Sequence, residues 1–233
     1  MVDIHLRGHL VSNDDAAVLR WLGWRDLTCP SDIQSALDTA NGEEVTLLIN
    51  SPGGSVPVGV EIYSMMRRYR GTTTALIQGM SASAATLASM GCKKIIAEPG
   101  ALLCYHNPGL TADGTAKDHR RAAGSLDNVK DAIINVYMTR TGKSREEVSD
   151  LMDQDLMISP QQALEYGLID AVEGLPDLEP EPVQFVAAAG GYLCVTVQQR
   201  QAYQNHLAAE AAERDKKTKA DSIRARARVL ATY

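Results

Sequence analysis

The chain has 233 residues, a formal net charge of −6 and no run of eighteen apolar residues. The sequence therefore indicates one sizeable domain with an appendage, and it predicts neither a membrane span nor a nucleic-acid-binding protein. The first residues contain no long apolar segment, so we expect no signal peptide and a cytoplasmic location. The widely scattered Cys29, Cys92, Cys104 and Cys194 are typical of buried free thiols, and they predict no disulfide framework, no metal site and no other cofactor.

Strands and helices are predicted to alternate over the first three quarters of the chain. A strand is predicted at Asp3–Leu10, a helix from about Ser31, and a strand buried on both faces of a largely parallel sheet at Val45–Ile49, ending in a turn at 50–54. The pattern then predicts a helix after residue 54, a strand at 73–78, a small helix at 81–90, strands at 93–97 and 102–105, helices at about 115–139, from 144 and from 159, and a short strand at 168–170. This order favours an α/β domain over residues 1–173.

The composition changes after residue 173. Residues 174–183 form an acidic, proline-rich linker, and residues 184–233 form a C-terminal extension with a short β-prone segment followed by a basic tail. From Gln198 onwards there are eight Lys and Arg against four Asp and Glu, so the tail carries about +4. It is either a solvated helix or a floppy segment, or else an element that docks on an acidic protein surface.

Two glycine-marked turns between a strand and a helix, at residues 51–55 and 79–83, can aim backbone N–H groups at an anion. The pattern of a nucleotide P-loop is absent from both. In the second turn, small residues surround Ser83, as a nucleophile approached by a bulky acyl group requires. The amides of Gly54 and Ala84 would then be the oxyanion donors. The structural alternative for Ser83 is a helix N-cap.

A serine nucleophile also needs a base and an acid. His106 follows an apolar strand at the rim of the predicted sheet, where active-site residues collect, although a structural histidine that caps the strand is the alternative. Asp153 and Asp155 both precede an apolar segment, and either carboxylate could orient an imidazole. Their positions alone do not distinguish them.

Four segments in this order resemble the Clp protease proteolytic subunit family. They are the oxyanion turn at 50–56 with the Ile62-Tyr63 helix, the nucleophile helix at 79–91, the histidine segment Tyr105–Pro108, and the acid segment Asp155–Asp170. The resemblance places the nucleophile at Ser83, the base at His106 and the acid at Asp155. It implies a crotonase-like fold of repeated βαβ units, peptide-bond hydrolysis and assembly into homo-oligomeric rings.

The chain also departs from that family. Ser81 stands where the family usually has a small apolar residue, which makes it a rival nucleophile, and Asp153 remains the alternate acid. A Clp-like core followed by roughly 60 further residues after 173 resembles the head maturation (prohead) proteases of tailed phages and prophages. That second resemblance implies an ATP-independent endopeptidase that trims capsid or scaffold proteins in the host cytoplasm or inside the assembling prohead.

Other functions remain open at this point. One is a housekeeping subunit that works with an ATPase. Another is a Ser–Lys protease of the signal peptide peptidase type, for which Lys93 and Lys94 are available. The remaining two are an acyl-CoA enzyme of the crotonase class and an inactive assembly scaffold whose tail is a binding element.

Overall fold

The computed structural model describes residues 1–174 and 195–230, with side chains described as far as residue 214. These residues divide into two compact units. The first comprises 1–16 and 26–174, and the second comprises 17–25 and the described residues from 195 onwards. Within the described residues, no helix is long and apolar enough to cross a membrane.

Strands and helices alternate along the first unit, as the sequence predicts. The strands are β1 Val2–Leu10, β2 Leu27–Thr28, β3 Val45–Gly54, β4 Thr73–Ala82, β5 Lys94–Ala97, β6 Leu102–Cys104, β7 Met157–Ile158 and β8 Ala171–Val172. The helices are α1 Asn13–Trp21, α2 Pro30–Ala40, α3 Val56–Arg68, α4 Ala84–Met90, α5 Ala116–Thr141, α6 Arg145–Gln154, α7 Pro160–Glu165 and, in the second unit, α8 Val197–Leu230. The short elements α1 and β2 have no counterpart among the predicted elements.

Parallel pairing determines where the functional segments lie. Five parallel pairings give the strand order β2-β1-β3-β4-β5-β8, and the last three residues of β4 pair with β6 beyond the end of β5. Strand β7 then pairs antiparallel with β6. Because the strands β3, β4 and β6 are parallel neighbours, their carboxyl ends meet at one edge of the sheet, where ligands bind in open α/β folds.

Two predicted boundaries are wrong for the same reason. Strand β3 continues through the expected turn at 50–54, because Leu10 of β1 pairs with Gly54, and β4 continues through Ser81 to Ala82, because Ala82 pairs with Cys104. The small helix therefore begins at Ala84 instead of 81. Partner strands keep both segments extended where glycine content alone indicated turns.

The short strand expected at 168–170 is also misplaced. Leu168 and Ile169 are buried in a turn, and the strand that pairs with β5 begins at Ala171. The carboxylate of Asp170 accepts a hydrogen bond of 2.7 Å from the amide of Ile95. The backbone amide of Asp170 donates to the Ile95 carbonyl over 2.8 Å, so Asp170 contacts β5 immediately before the paired residues begin at Ala171.

Burial is concentrated on one face of the sheet, which the helices α2, α3 and α4 cover. Val45, Leu47 and Ile49 are fully buried there. The prediction that β3 is buried on both faces is wrong, because Leu48 on the opposite face is only half-buried. Leu48 lies in register with Leu76, and Leu76 with Ile96, so a half-buried apolar row crosses three strands.

The expected burial of the cysteines is confirmed for the described residues. Cys29, Cys92 and Cys104 are buried, whereas Cys194 lies outside the described residues. Burial raises the pKa of Cys92 to about 12. All of the predicted linker at 174–183 except residue 174, and most of the β-prone segment at 184–197, also lie outside the described residues, and Val197 already begins α8.

In the second unit, the predicted tail is a helix over its described length, which agrees with the helical alternative. Its first turns contact the segment 17–25. The ring of Trp21 lies 5.9 Å from that of Tyr203 and 5.2 Å from that of His206.

At Gly53, β3 lies very close to the turn that follows β4, and a side chain at this position is expected to lower stability. Its φ is +91°, and a Cβ there would lie 2.5 Å from the Ala82 carbonyl oxygen and 2.7 Å from the Ser83 Cβ. We expect Gly53→Ala to lower the free energy of unfolding by about 2 kcal/mol or more, because both the space and the φ exclude a side chain. Denaturant unfolding measures the loss.

The matched control is Gly124→Ala. Gly124 lies inside α5, and a Cβ there would meet no atom within 4 Å. This change should raise stability by about 0.5–1 kcal/mol. Equal stability of Gly53→Ala and the wild type would contradict the close approach.

Candidate active site

Ser83 lies between the end of β4 and the start of α4 in an unusual backbone conformation. Its φ and ψ are 54° and −128°, and among the described non-glycine residues only Asn41 and Asp155 share a positive φ. A serine held there carries backbone strain, which often accompanies function. Although Ser83 occupies the N-cap position, its side chain makes no capping hydrogen bond, and it is partly exposed. The N-cap alternative therefore does not explain this hydroxyl.

Hydrogen bonds on both sides hold the Ser83 backbone. Its N–H donates to the Cys104 carbonyl over 3.0 Å. Its carbonyl accepts two hydrogen bonds from Thr86, one from the amide at 3.0 Å and one from Oγ1 at 2.6 Å. The strand β6 and the first turn of α4 thus fix the turn from opposite directions.

The rival nucleophile Ser81 is placed differently. It is fully buried within β4, and its Oγ has no hydrogen-bond partner among the described residues. A hydroxyl that is fully buried within β4 is not accessible to a substrate carbonyl.

The expected oxyanion turn lies beside Ser83. The amides on either side of Gly54 already have partners within the protein: that of Gly53 donates to Ser51 Oγ over 3.0 Å, and that of Ser55 donates to the Leu10 carbonyl over 2.9 Å. A Cβ on Gly53 would also lie 2.9 Å from the amide nitrogen of Ala84. The end of β3 at Gly53 and Gly54 therefore lies close to the amide of Ala84.

Strand pairing brings His106 and Asp155 together. Cys104 of β6 pairs with Met157 of β7 in an antiparallel register, and counting two residues outward from each places His106 opposite Asp155. The His106 Nδ1 lies 3.9 Å from the Asp155 Oδ1. His106 is largely buried, at 23% side-chain exposure, whereas Asp155 is 69% exposed. Asp155 ends α6 in the left-handed conformation, with φ 50° and ψ 42°.

The neighbouring carboxylate of Asp153 serves another contact. It accepts hydrogen bonds from Lys130 Nζ at 2.8 Å and from Asn107 Nδ2 at 2.7 Å. These two bonds, that of Lys130 first, hold the pKa of Asp153 below its usual value. Asp153 therefore joins α5 to the segment after His106, and its carboxylate is occupied in that position.

Cys104 is the thiol nearest to this group of residues. Burial, and then the negative charge of Asp155, raise the pKa of Cys104 to about 11. The thiol is therefore uncharged at neutral pH and is a poor nucleophile. Among the described residues, no group of three or more His, Cys, Asp or Glu side chains is arranged to hold a metal ion.

Sequence reasoning missed two buried residues of this site. Thr86 and Tyr137 lie directly beneath the Ser83 turn, with a distance of 2.6 Å between their hydroxyl oxygens. They are 51 residues apart in the chain. A threonine inside an alanine-rich helix and a tyrosine inside a long helix give no local pattern that would connect them.

The sequence of the first unit is similar to that of known proteins. The Clp protease family model matches residues 33–174. The ATP-dependent Clp protease proteolytic subunit 1 of Streptomyces avermitilis is 38% identical over 140 residues, which cover 59% of this chain and 64% of that protein. The subunit 1 of Chlamydia muridarum is 32% identical over 138 residues, covering 58% of this chain and 72% of its own length.

The fold has a counterpart among solved structures. A ClpP1 mutant from Listeria monocytogenes superposes with a TM-score of 0.59 and 21% identity, covering 73% of this chain and 90% of that one. This similarity supports the α/β fold with a parallel sheet. Since the family model spans more than half of the chain, this protein belongs to the Clp protease family.

Proposed function

We propose that this protein is a serine endopeptidase in which Ser83 is the nucleophile, His106 the general base and Asp155 the acid that orients it. The observation that carries this proposal is the strained, partly exposed Ser83, whose hydroxyl caps no helix, at the same sheet edge as the His106–Asp155 pair. The family is one of serine peptidases, and the alignment spans 64% of the Streptomyces relative.

The proposed chemistry is acyl transfer. Since Nδ1 of His106 faces Asp155, Nε2 is the ring nitrogen that remains for Ser83. Nε2 takes the hydroxyl proton as Ser83 Oγ bonds to the scissile carbonyl carbon. The proton then passes to the leaving amine as the C–N bond breaks, which leaves an acyl-enzyme. A water molecule, deprotonated by the same nitrogen, releases the acyl group and restores Ser83.

Two further features complete the proposed mechanism. The distance of 3.9 Å between His106 and Asp155 must shorten by about 1 Å before Nδ1–H can donate a hydrogen bond, a tightening that is common on substrate binding. The amides of Gly54 and Ala84 are the proposed donors to the oxyanion. A donor of this kind lowers the barrier by roughly 3–4 kcal/mol.

A Ser–Lys dyad fits this chain less well. Lys93 immediately precedes β5 and donates from Nζ to the Gly71 carbonyl over 3.0 Å, and Lys94 pairs with Thr74 near the start of β4. Ser83 follows the opposite, carboxyl end of β4. The length of β4 therefore separates both lysines from the proposed nucleophile.

Assembly into a homo-oligomer, as a ring, is the proposed quaternary arrangement. Parallel sheets are normally covered on both faces. In the single chain, the row formed by Leu48, Leu76 and Ile96 is only half-buried. A second copy of the chain that packs on this row would complete its burial.

The proposed substrates are capsid or scaffold proteins during phage head maturation, cleaved without ATP. The support is the length of chain beyond the family match, which ends at 174, and the helix α8 within that extension. The second candidate is a subunit that works with an ATPase, which the names of the ATP-dependent Streptomyces and Chlamydia relatives favour.

The nucleophile is tested with a fluorophosphonate and peptide mapping by mass spectrometry. Ser83 Oγ should form a bond to phosphorus as fluoride leaves, and the hydroxyl proton should pass to His106. We expect the label on Ser83 and no label in Ser83→Ala. In His106→Ala the labelling rate should fall roughly 10³-fold, because the base is lost.

Ser81→Ala is the matched control, since it removes a hydroxyl two residues away that is fully buried. It should label at the wild-type rate. A label on Ser81, or labelling of His106→Ala at the full rate, would overturn the assignment.

The assembly proposal is tested by sedimentation velocity. Leu76→Asp should dissociate the oligomer, because a carboxylate in the half-buried row resists burial. Leu110→Asp is the control, because Leu110 is 47% exposed and lies outside the row. Equal sedimentation of the Leu76→Asp variant and the wild type would count against packing on this face.

The substrate proposal is tested by incubating the purified full chain with the precursor capsid protein of a tailed phage. Without nucleotide or ATPase, we expect a few discrete fragments on a gel and none with Ser83→Ala. No cleavage under these conditions, together with degradation once a Clp-type ATPase and ATP are added, would favour the second candidate.

A further inference from the structure

Two buried hydroxyl groups lie in series beneath the Ser83 turn. Thr86, in the first turn of α4, donates from Oγ1 to the Ser83 carbonyl over 2.6 Å. Tyr137, on α5, places its hydroxyl oxygen 2.6 Å from the same Oγ1. Thr86 is fully buried, and Tyr137 is 2% exposed. Solvent therefore does not compete for either hydrogen bond.

The direction of the chain of hydrogen bonds follows from the number of protons. A threonine hydroxyl has a single proton, and Thr86 gives it to the Ser83 carbonyl. The bond between the two hydroxyls must therefore be donated by Tyr137. Burial raises the pKa of Tyr137 well above its usual value, so this hydroxyl keeps its proton at neutral pH.

This series of hydrogen bonds ends on the peptide group that contains the proposed oxyanion donor. The Ser83 carbonyl and the Ala84 N–H belong to one planar peptide unit and point in opposite directions. A hydrogen bond that holds the carbonyl towards the interior therefore holds the Ala84 N–H towards the substrate side. Because hydrogen bonds in a chain polarise one another, it also makes that N–H a stronger donor.

Tyr137 also contacts the segment after β6 that carries the base. Its ring meets that of Tyr105 edge-on, with the ring centroids 5.4 Å apart. Tyr105 is 2% exposed and directly precedes His106. One side chain of α5 thus supports both the nucleophile turn and the histidine segment.

We propose that Thr86 and Tyr137 are positioning residues, which act through the Ser83–Ala84 peptide to fix the nucleophile and to orient the Ala84 N–H at the oxyanion. This inference rests on the proposed serine-peptidase function. Neither side chain touches the substrate, so both should affect the rate of reaction at Ser83 more than substrate affinity.

The test compares Tyr137→Phe, Thr86→Val and the double variant, by the rate of fluorophosphonate labelling at Ser83 and by kcat and KM for a fluorogenic peptide. Each single change should lower the labelling rate and kcat about tenfold, with KM changed less than about threefold. The double variant should lose no more than Thr86→Val alone, because Tyr137 acts through Thr86. Thr86→Ser, which keeps the hydroxyl, should retain most of the wild-type rate.

Two controls separate positioning from general destabilisation. Ser89→Ala removes another buried hydroxyl of α4, which donates to the Thr86 carbonyl over 2.7 Å one turn farther along the helix. Tyr69→Phe removes a tyrosine hydroxyl that donates to the Glu43 carbonyl, just before the amino end of β3 and so at the opposite end of that strand from Gly54. Both should lower the melting temperature without lowering the labelling rate.

The outcomes distinguish this inference from the proposed function. If wild-type Ser83 does not label, the serine-peptidase function fails and this inference fails with it. If the wild type labels but Tyr137→Phe labels equally fast, only the positioning role is overturned. The positioning role is also overturned if Ser89→Ala lowers the labelling rate as much as Thr86→Val does. The same holds if the rate losses of Tyr137→Phe and Thr86→Val add up in the double variant. Should Thr86→Val fail to fold, Tyr137→Phe and Thr86→Ser still decide the question.

Discussion

The conformation of Ser83 is the constraint on which the rest of the site depends. A non-glycine residue at φ 54° and ψ −128° costs of the order of 1–3 kcal/mol, so the surrounding structure must hold it in place. Here the Cys104 carbonyl holds the N–H, and the amide and hydroxyl of Thr86 hold the carbonyl. This strained conformation leaves the side chain of Ser83 partly exposed, although the last residues of β4 are buried.

The parallel sheet explains why the other groups lie close by. Strands β3, β4 and β6 end at one edge, and each delivers one part of the proposed machinery: the Gly54 amide, Ser83 and His106. The close approach of β3 to the Ser83 turn is possible only because residue 53 has no side chain. Asp155 arrives from the opposite direction, through the antiparallel pairing of β7 with β6. The register of the paired strands, more than the conformation of any one loop, therefore brings the groups of the site together.

The sequence predicted the α/β class, most of the elements and the candidate residues, because apolar periodicity and glycine turns are local patterns. It misplaced the ends of β3 and β4 because pairing with β1 and β6 extends them, and no local pattern records a partner strand. Position alone could not separate Asp153 from Asp155. They differ in their tertiary contacts, because Lys130 and Asn107 donate hydrogen bonds to Asp153, whereas Asp155 faces His106. The pair Thr86 and Tyr137 was missed because its members meet only in the folded chain.

The most direct test of the central claim is a crystal structure of the fluorophosphonate adduct. The account predicts phosphorus bonded to Ser83 Oγ, with the phosphonyl oxygen about 2.7–3.1 Å from the amide nitrogens of Gly54 and Ala84. It also predicts that Ser83 keeps its positive φ. A phosphonyl oxygen that contacts neither amide, or a Ser83 that relaxes to negative φ in the adduct, would contradict the account.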